Sequence, residues 1–205
     1  MNKSTYIFSF TAASLRLNEL VKVAKYAHEH GIVDFNMVKD AGIVFSDVKS
    51  RTSDRQFREI RHRLEMLTNA QLEILINDDL IGQKHMALLA ACKQYAFIKD
   101  FITDVLREKI LVFNYQLYES DFNSFINNKL QEHPELEEFG TVTFKKAKQV
   151  MFLMFEQAGI IDNTATKRIL PQLLSPAVTR AIADDDPNLL KIFMFSDRDI
   201  NELKF

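Results

Sequence analysis

Turn-forming residues are scarce in this sequence. Five glycines and four prolines in 205 residues are too few for the many tight turns of an all-β protein, and they also argue against a long disordered linker. Mostly helix is therefore expected. Cysteine is scarcer still: the lone Cys92 sits in the apolar, helix-like run ALLAACKQYAF, where a buried reduced thiol is the expected state. A reducing cytoplasm suits that residue. No span approaches the roughly 18 apolar residues of a membrane helix, and MNKSTYIFSFTAAS has neither a continuous apolar stretch nor a basic lead of signal-peptide type.

The patterns that carry catalysis are missing as well. His28, His30, His62, His85 and His133 do not show zinc-ligand spacing, since the close pair His28 and His30 points to different sides of a helix. Asp184, Asp185 and Asp186 precede Pro187, the place of a solvated helix end more than of a cation site. There is no phosphate-cradling glycine loop, dinucleotide fingerprint or nucleophile elbow. A non-enzyme without cofactor or metal is the expectation.

What is present is ordinary in amount and uneven in placement. With 47% hydrophobic and 26% charged residues the chain reads as a soluble globular protein, and its length suits one domain or two small ones. The net charge is only −2, but residues 1–69 carry 11 basic and 8 acidic side chains, residues 70–140 carry 6 and 12, and residues 141–205 carry 9 and 8. Such polarity fits terminal parts that meet an anion while the acidic middle stays off it or docks a basic partner.

The most informative stretch is SDVKSRTSDRQFREIRHRLEML, residues 46–67. At about 100° per residue Phe57, Ile60, Leu64 and Leu67 form one narrow apolar stripe, while Arg51, Arg55, Arg58 and His62 fall together on the outward side. Thr52, Ser53 and Asp54 offer capping oxygens, so the helix is expected to begin within that triplet, with Arg51 beside its positive end. Two readings share this face. In one, it is a solvated surface answered by Asp54, Glu59 and Glu65. In the other, the six basic residues of 46–63 (Lys49, Arg51, Arg55, Arg58, Arg61, Arg63), facing only Asp47, Asp54 and Glu59, hold phosphate; five are arginines, suited to bidentate contacts.

Taken in order, TYIFSF reads as a short strand or as an extended arm packing Ile7, Phe8 and Phe10 onto the bundle. A first helix runs from Ser14 to Gly31, and Asp34 opens a shorter one with Phe35, Val38 and Met37 inward, ending at Gly42. With the basic helix they have the ingredients of a helix-turn-helix-like unit, although the connection from Gly42 to Arg51 is long for one. Two helical runs follow, broken near Asp78, Asp79 and Gly82. The second, carrying Leu88, Leu89, Cys92, Tyr95, Phe97, Ile98, Phe101, Ile102, Val105 and Leu106, is expected to be one long, buried central helix. Phe122, Phe125, Ile126 and Leu130 mark a further helix closed by Pro134.

After Gly140, Thr141 and Thr143 are positioned to cap FKKAKQVMFLMFEQAG, which stops at Gly159. In IIDNTATKRIL, Ile160–Ile161 and 168–170 flank a polar tip. This is the outline of a winged helix with a small β-hairpin, or of a plain surface hairpin. SPAVTRAIADDDP reads as a capped helix and LLKIFMF as a last apolar run before a polar tail.

Taken together, SFTAASLRLNE, SDRQFREIRHRLEML, KQYAFIKDFITDVLREK, FKKAKQVMFLMFEQAGII and LPQLLSP resemble the BrxA family of BREX (bacteriophage exclusion) operons, over nearly the whole chain from about Ser9 to Phe195. The resemblance implies a cytoplasmic, mainly α-helical defence component without known catalysis, likened to the RNA-binding antitermination protein NusB and credited with binding double-stranded DNA. The inner-membrane label that the family has carried conflicts with the apolar run lengths here. It supplies no residue-level site.

The expected fold is thus a mainly α multi-helix bundle: residues 1–69 with the basic helix, an acidic centre over 70–140, and 141–205 with the wing-like hairpin, as one compact unit or two closely packed subdomains. The expected DNA contacts come from charge geometry alone: Lys49, Arg51, Arg55, Arg58 and His62, with Lys145, Lys146, Lys148, Lys167 and Arg168 as a second patch. An assembly adaptor docking other BREX proteins, or an RNA binder of NusB type, are the alternative functions.

Overall fold

The helix that everything else packs around is α5 (Leu80–Gln94). Residues Met86, Ala87, Leu88, Leu89, Ala90, Ala91 and Cys92 are consecutive and all buried, so over this stretch the helix is enclosed on every side, as its apolar circumference requires. In the computed structural model, which describes residues 5–39, 41–45 and 51–203, it meets α1 (Leu17–Glu29), α3 (Arg51–Glu65), α4 (Asn69–Asn77) and α9 (Thr141–Ala158). The one-turn α2 (Asn36–Lys39) leads toward α3, and Asp34 accepts the Asn36 amide at its start (2.9 Å). Phe35 and Val38 turn inward while Met37 faces solvent, 64% exposed, contrary to expectation. A turn of only four residues has just one buried face.

The expected long central helix is three pieces. Asp79 caps α5 through the amides of Ile81 and Gly82, and Tyr95 ends it in an extended conformation (φ −124°, ψ 97°). Then α6 (Ala96–Phe101) runs into a π-helical turn, Ile102–Arg107, followed by α7 (Glu108–Leu111). Apolar spacing continues across Tyr95 and hides the break. The π turn sets buried Arg107 toward the C-terminal segment, where Nε donates to the Phe195 carbonyl (2.8 Å) and the guanidinium pairs with Asp197 (3.1 Å).

The remaining helices are α8 (Glu119–Leu130), α10 (Pro176–Ala183) and α11 (Asp197–Glu202). Gly140, not Thr141 or Thr143, precedes α9, and the expected polar tail forms α11, capped by Ser196. Among the described residues no strand forms: segment 160–170 pairs only through isolated bridges, Ile161 with Ile169 and Arg168 with Gln116. Residues of all three thirds of the chain share one apolar core, in which burial of Cys92 pushes its thiol up.

The opening segment is the arm, not a strand. Tyr6, Phe8 and Phe10 are buried and Ile7 is exposed; the chain turns into a short 3-10 helix at Ser9–Ala12, from which Phe10 enters a groove of aromatic rings. Phe8 meets Phe97 and Phe139 edge-on at 4.7 and 4.8 Å, and Tyr6 stacks on His133 at 3.8 Å. Burying Phe10 alone stabilises by about 2–3 kcal/mol. The Tyr6 amide donates to Glu135 (2.9 Å) and its hydroxyl to Asp100 (2.7 Å). That amide, and then His133, hold the Glu135 carboxyl below the usual carboxylate range.

Helix α3 locks onto the end of this arm through two charged side chains that point inward. Arg63 is 0% exposed; one guanidinium nitrogen donates to the carbonyls of Ser14 (2.6 Å) and Leu15 (3.3 Å), the other to Ala13 (2.8 Å). Its charge also lies over the Tyr95 ring, 5.8 Å from the centroid, and the Tyr95 hydroxyl donates to buried Glu59. Burial pulls the Arg63 pKa down while Tyr95 and Glu59 oppose that shift. Hence Arg63 serves as a cap for chain carbonyls that make no helix.

Two outcomes follow from these buried contacts. Arg63→Ala removes the donors that these three carbonyls share and leaves a cavity, so denaturant unfolding is expected to show a loss of about 3–5 kcal/mol, with Arg63→Lys intermediate; an effect below about 1 kcal/mol would contradict the clamp. Burial first, and then Asp100 and Glu59 respectively, push the Tyr6 and Tyr95 phenols above the ordinary range. The fold therefore favours their neutral forms: this stability is complete below the unfolded-state value of about 10 and is lost as pH rises beyond it. An ultraviolet alkaline titration should show two of the five tyrosines ionising only as helical circular dichroism is lost; full ionisation with the helix signal intact is the contrary result.

Candidate nucleic-acid interface

Because Phe57, Ile60 and Leu64 face the core and Arg63 and Glu59 are tied beside them, the rotation of α3 about its axis is fixed. The opposite sector then presents Arg51, Arg55 and Arg58, all exposed, with His62 half-buried at its far end. The expected face is therefore assembled. Arg51 is already helical, ahead of the Thr52 to Asp54 triplet where the start was expected, and residues 46–50 lie outside the described residues. Lys49 lies outside the described residues.

The acids expected to neutralise this face are engaged elsewhere. Asp54 pairs with Lys39 of α2 (2.9 Å), Glu65 with Arg61 (3.5 Å), and Glu59 is inside on Tyr95. Among the described residues Arg51, Arg55 and Arg58 form no ion pair. Arg61 is not part of the open sector: it donates to the Asn36 side chain (2.5 Å) and lies 2.6 Å from His62 Nε2, joining α3 to α2. The inward turn of Arg63 and Glu59 escaped the sequence reading, although Arg63 falls beside Ile60 and Leu67 on a helical wheel.

The second patch divides. Lys145 and Lys146 are exposed on the first turns of α9, and Arg168 is exposed beside its bridge to Gln116. Lys148 and Lys167 instead converge on Glu119 at the start of α8, Lys167 at 3.4 Å, and their ammonium groups lie over Phe122 and Phe152 at 5.6 and 5.9 Å. Lys148 and then Lys167 hold the Glu119 carboxyl below its usual range. One carboxylate thus occupies two of the five expected cations.

Other polar groups are structural. Asp185 accepts from Lys93 (2.8 Å) and Gln71 (3.1 Å), Asp186 caps the Asn188 amide (2.9 Å), and Asp184 pairs with Arg180 (3.7 Å). Among the described residues no group of three His, Cys, Asp or Glu is placed to hold a metal ion, and no helix is long and apolar enough to cross a membrane.

Comparison with known proteins agrees with this architecture. A crystal structure of an uncharacterized protein from Magnetospirillum magneticum superposes with a TM-score of 0.78, covering 93% of this chain and 98% of that one at 18% identity, which shows a shared fold. Two proteins named BREX protein BrxA are similar in sequence: one from Bacillus cereus (strain H3081.97), 27% identical over 106 residues (52% of this chain and 53% of that protein), and one from Escherichia coli O9:H4 (strain HS), 21% identical over 138 residues (66% and 65%). The matched stretches therefore span between about half and two thirds of those relatives. A sequence profile described as BrxA matches residues 4–186, and the chain accordingly belongs to the BrxA family of BREX systems.

Proposed function

We propose that this protein is a non-enzymatic component of a BREX phage-defence system that binds double-stranded DNA through phosphate contacts. The observation that carries the reading is the diversion of Asp54, Glu59 and Glu65 away from the arginine sector of α3. Exposed pairs such as Lys39 with Asp54 contribute at most about 1 kcal/mol to stability, so their effect here is on where charge is left uncompensated. Three open guanidinium groups about one helical turn apart suit a phosphate backbone, and a duplex offers one charge per roughly 1.7 Å.

In this reading α1, α2 and α3 act as a helix-turn-helix-like unit in which α3 meets the duplex and Asn36–Arg61 braces it. Lys145, Lys146 and Arg168 extend the track along the backbone, with the turn around residues 162–168 in the role of a wing, while Lys148 and Lys167 join when Glu119 gives way to phosphate. Lys49 belongs to the first patch by its place in the sequence. In this reading the shifts at Tyr6, Tyr95, Cys92 and Arg63, caused mainly by burial in the core, are structural.

Replacing Arg51, Arg55 and Arg58 together by alanine is expected to weaken binding to unrelated duplexes about equally and to flatten the salt dependence by up to about 0.9 per lost phosphate contact. An unchanged slope removes these residues from the interface. Glu119→Gln frees Lys148 and Lys167 and is expected to tighten duplex binding severalfold at low salt. Unaltered affinity would place the second patch off the nucleic-acid path.

A further inference from the structure

Carboxylates line most clefts of this surface. Glu108 and Asp121 stand in one, Asp104 and Asp186 in a second, Glu65 and Glu73 in a third. The cleft of about 570 Å³ between α8 and the first two turns of α9 has none in its lining, although α8 lies in the acidic third of the chain. Its charged residues are Lys145 and Lys148. Lys148 is held from outside the lining by Glu119, and among the described residues Lys145 forms no ion pair.

Spacing along the two helices sorts the rest of the lining. Phe122 and Ile126, one turn apart on α8, and Phe144 on α9 give the cleft an apolar floor. The core holds that floor in place: Phe122 packs against Phe101 and Phe152 (5.9 and 6.4 Å), and Phe144 against Phe8 and Phe139 (5.9 and 6.4 Å). Asn123 and Asn127, also one turn apart, bring two carboxamides from α8, and Thr141 brings a hydroxyl from α9. All three are exposed and, among the described residues, make no side-chain hydrogen bond.

A phosphate alone uses the lysines and leaves the floor and the carboxamides idle. A stacked base pair does not reach them either, since its faces are covered and its edges paired. An unpaired nucleotide uses every part: the base has an apolar face for the floor and an edge that donates and accepts as a carboxamide does, and the phosphate is an anion for Lys145. Small-molecule sites run from roughly 300 to 1,000 Å³, so the cleft has room for one base with its sugar and phosphate.

We infer that the α8–α9 cleft takes one unpaired nucleotide of a bound nucleic acid, with the base on the Phe122, Ile126 and Phe144 floor, its edge at Asn123 and Asn127 and its phosphate at Lys145. The inference rests on the duplex reading for the second patch, and adds to it a place for a base drawn out of the stack.

The test gives the full chain three DNA probes of one sequence: a paired duplex, the same duplex with a single deoxyadenosine bulged out, and that bulge made abasic, which keeps its flexibility and its phosphate. Wild-type protein is expected to bind the deoxyadenosine bulge about tenfold more tightly than the other two. Asn123→Ala with Asn127→Ala, changes that suit exposed helix positions and preserve the circular dichroism, should bring that ratio to about one without altering affinity for the paired duplex. The Arg51, Arg55 and Arg58 triple variant should weaken all three probes and keep the ratio. Equal binding of the three probes by wild type overturns the inference and leaves the duplex reading intact. Equal preference for both bulges, or a ratio that survives the asparagine changes, overturns it too, since flexibility or phosphate then explains the binding. Failure of the duplex reading looks different: the paired duplex is unbound near physiological salt, while the deoxyadenosine bulge is bound and depends on Asn123 and Asn127. Binding of no probe contradicts both.

Discussion

The Arg63 guanidinium, buried against the carbonyls of Ala13, Ser14 and Leu15, is the constraint on which the rest of the architecture turns. An unpaired arginine in a protein interior would be prohibitively unfavourable, so its three carbonyl partners and the Tyr95 ring are conditions of its being there at all. The arm that supplies the carbonyls must enter the aromatic groove through Tyr6, Phe8 and Phe10. Tyr95, which must reach Glu59 and pass beneath Arg63, leaves the helical path and divides the central helix. Arm, basic helix and core break are three aspects of one buried polar cluster.

That cluster also determines which charges are free. With Glu59 and Arg63 inside, α3 loses one acid and one base from its surface, and Lys39 and Arg61 occupy the remaining two acids from the sides. The arginine sector is what is left over. Near-neutral net charge is therefore compatible with a locally basic face, because the acids are concentrated in residues 70–140.

The sequence made the helices legible wherever apolar spacing and caps agreed: α1 before Gly31, α4 and α5 around Asp79, α9 before Gly159, α10 after Ser175. The buried stripe of α3 followed from the same periodicity. Three features were hidden for physical reasons. The extended Tyr95 and the π turn leave hydrophobic content intact while shifting its phase, and composition does not register phase. Arg63 and Glu59 read as surface residues because charge normally implies water; only a wheel position beside Ile60 marked Arg63. The convergence of Lys148 and Lys167 on Glu119 joins residues far apart in the chain, so local spacing holds no trace of it.

The central claim is that the outward face of α3 engages duplex phosphate. Titrating salt against the wild-type protein on mixed-sequence duplex DNA, single-stranded DNA and RNA of equal length addresses it most directly. The account predicts tightest binding to the duplex and an affinity that falls steeply and log-linearly with salt. Absence of binding to all three near physiological salt, or a preference for RNA, would contradict it.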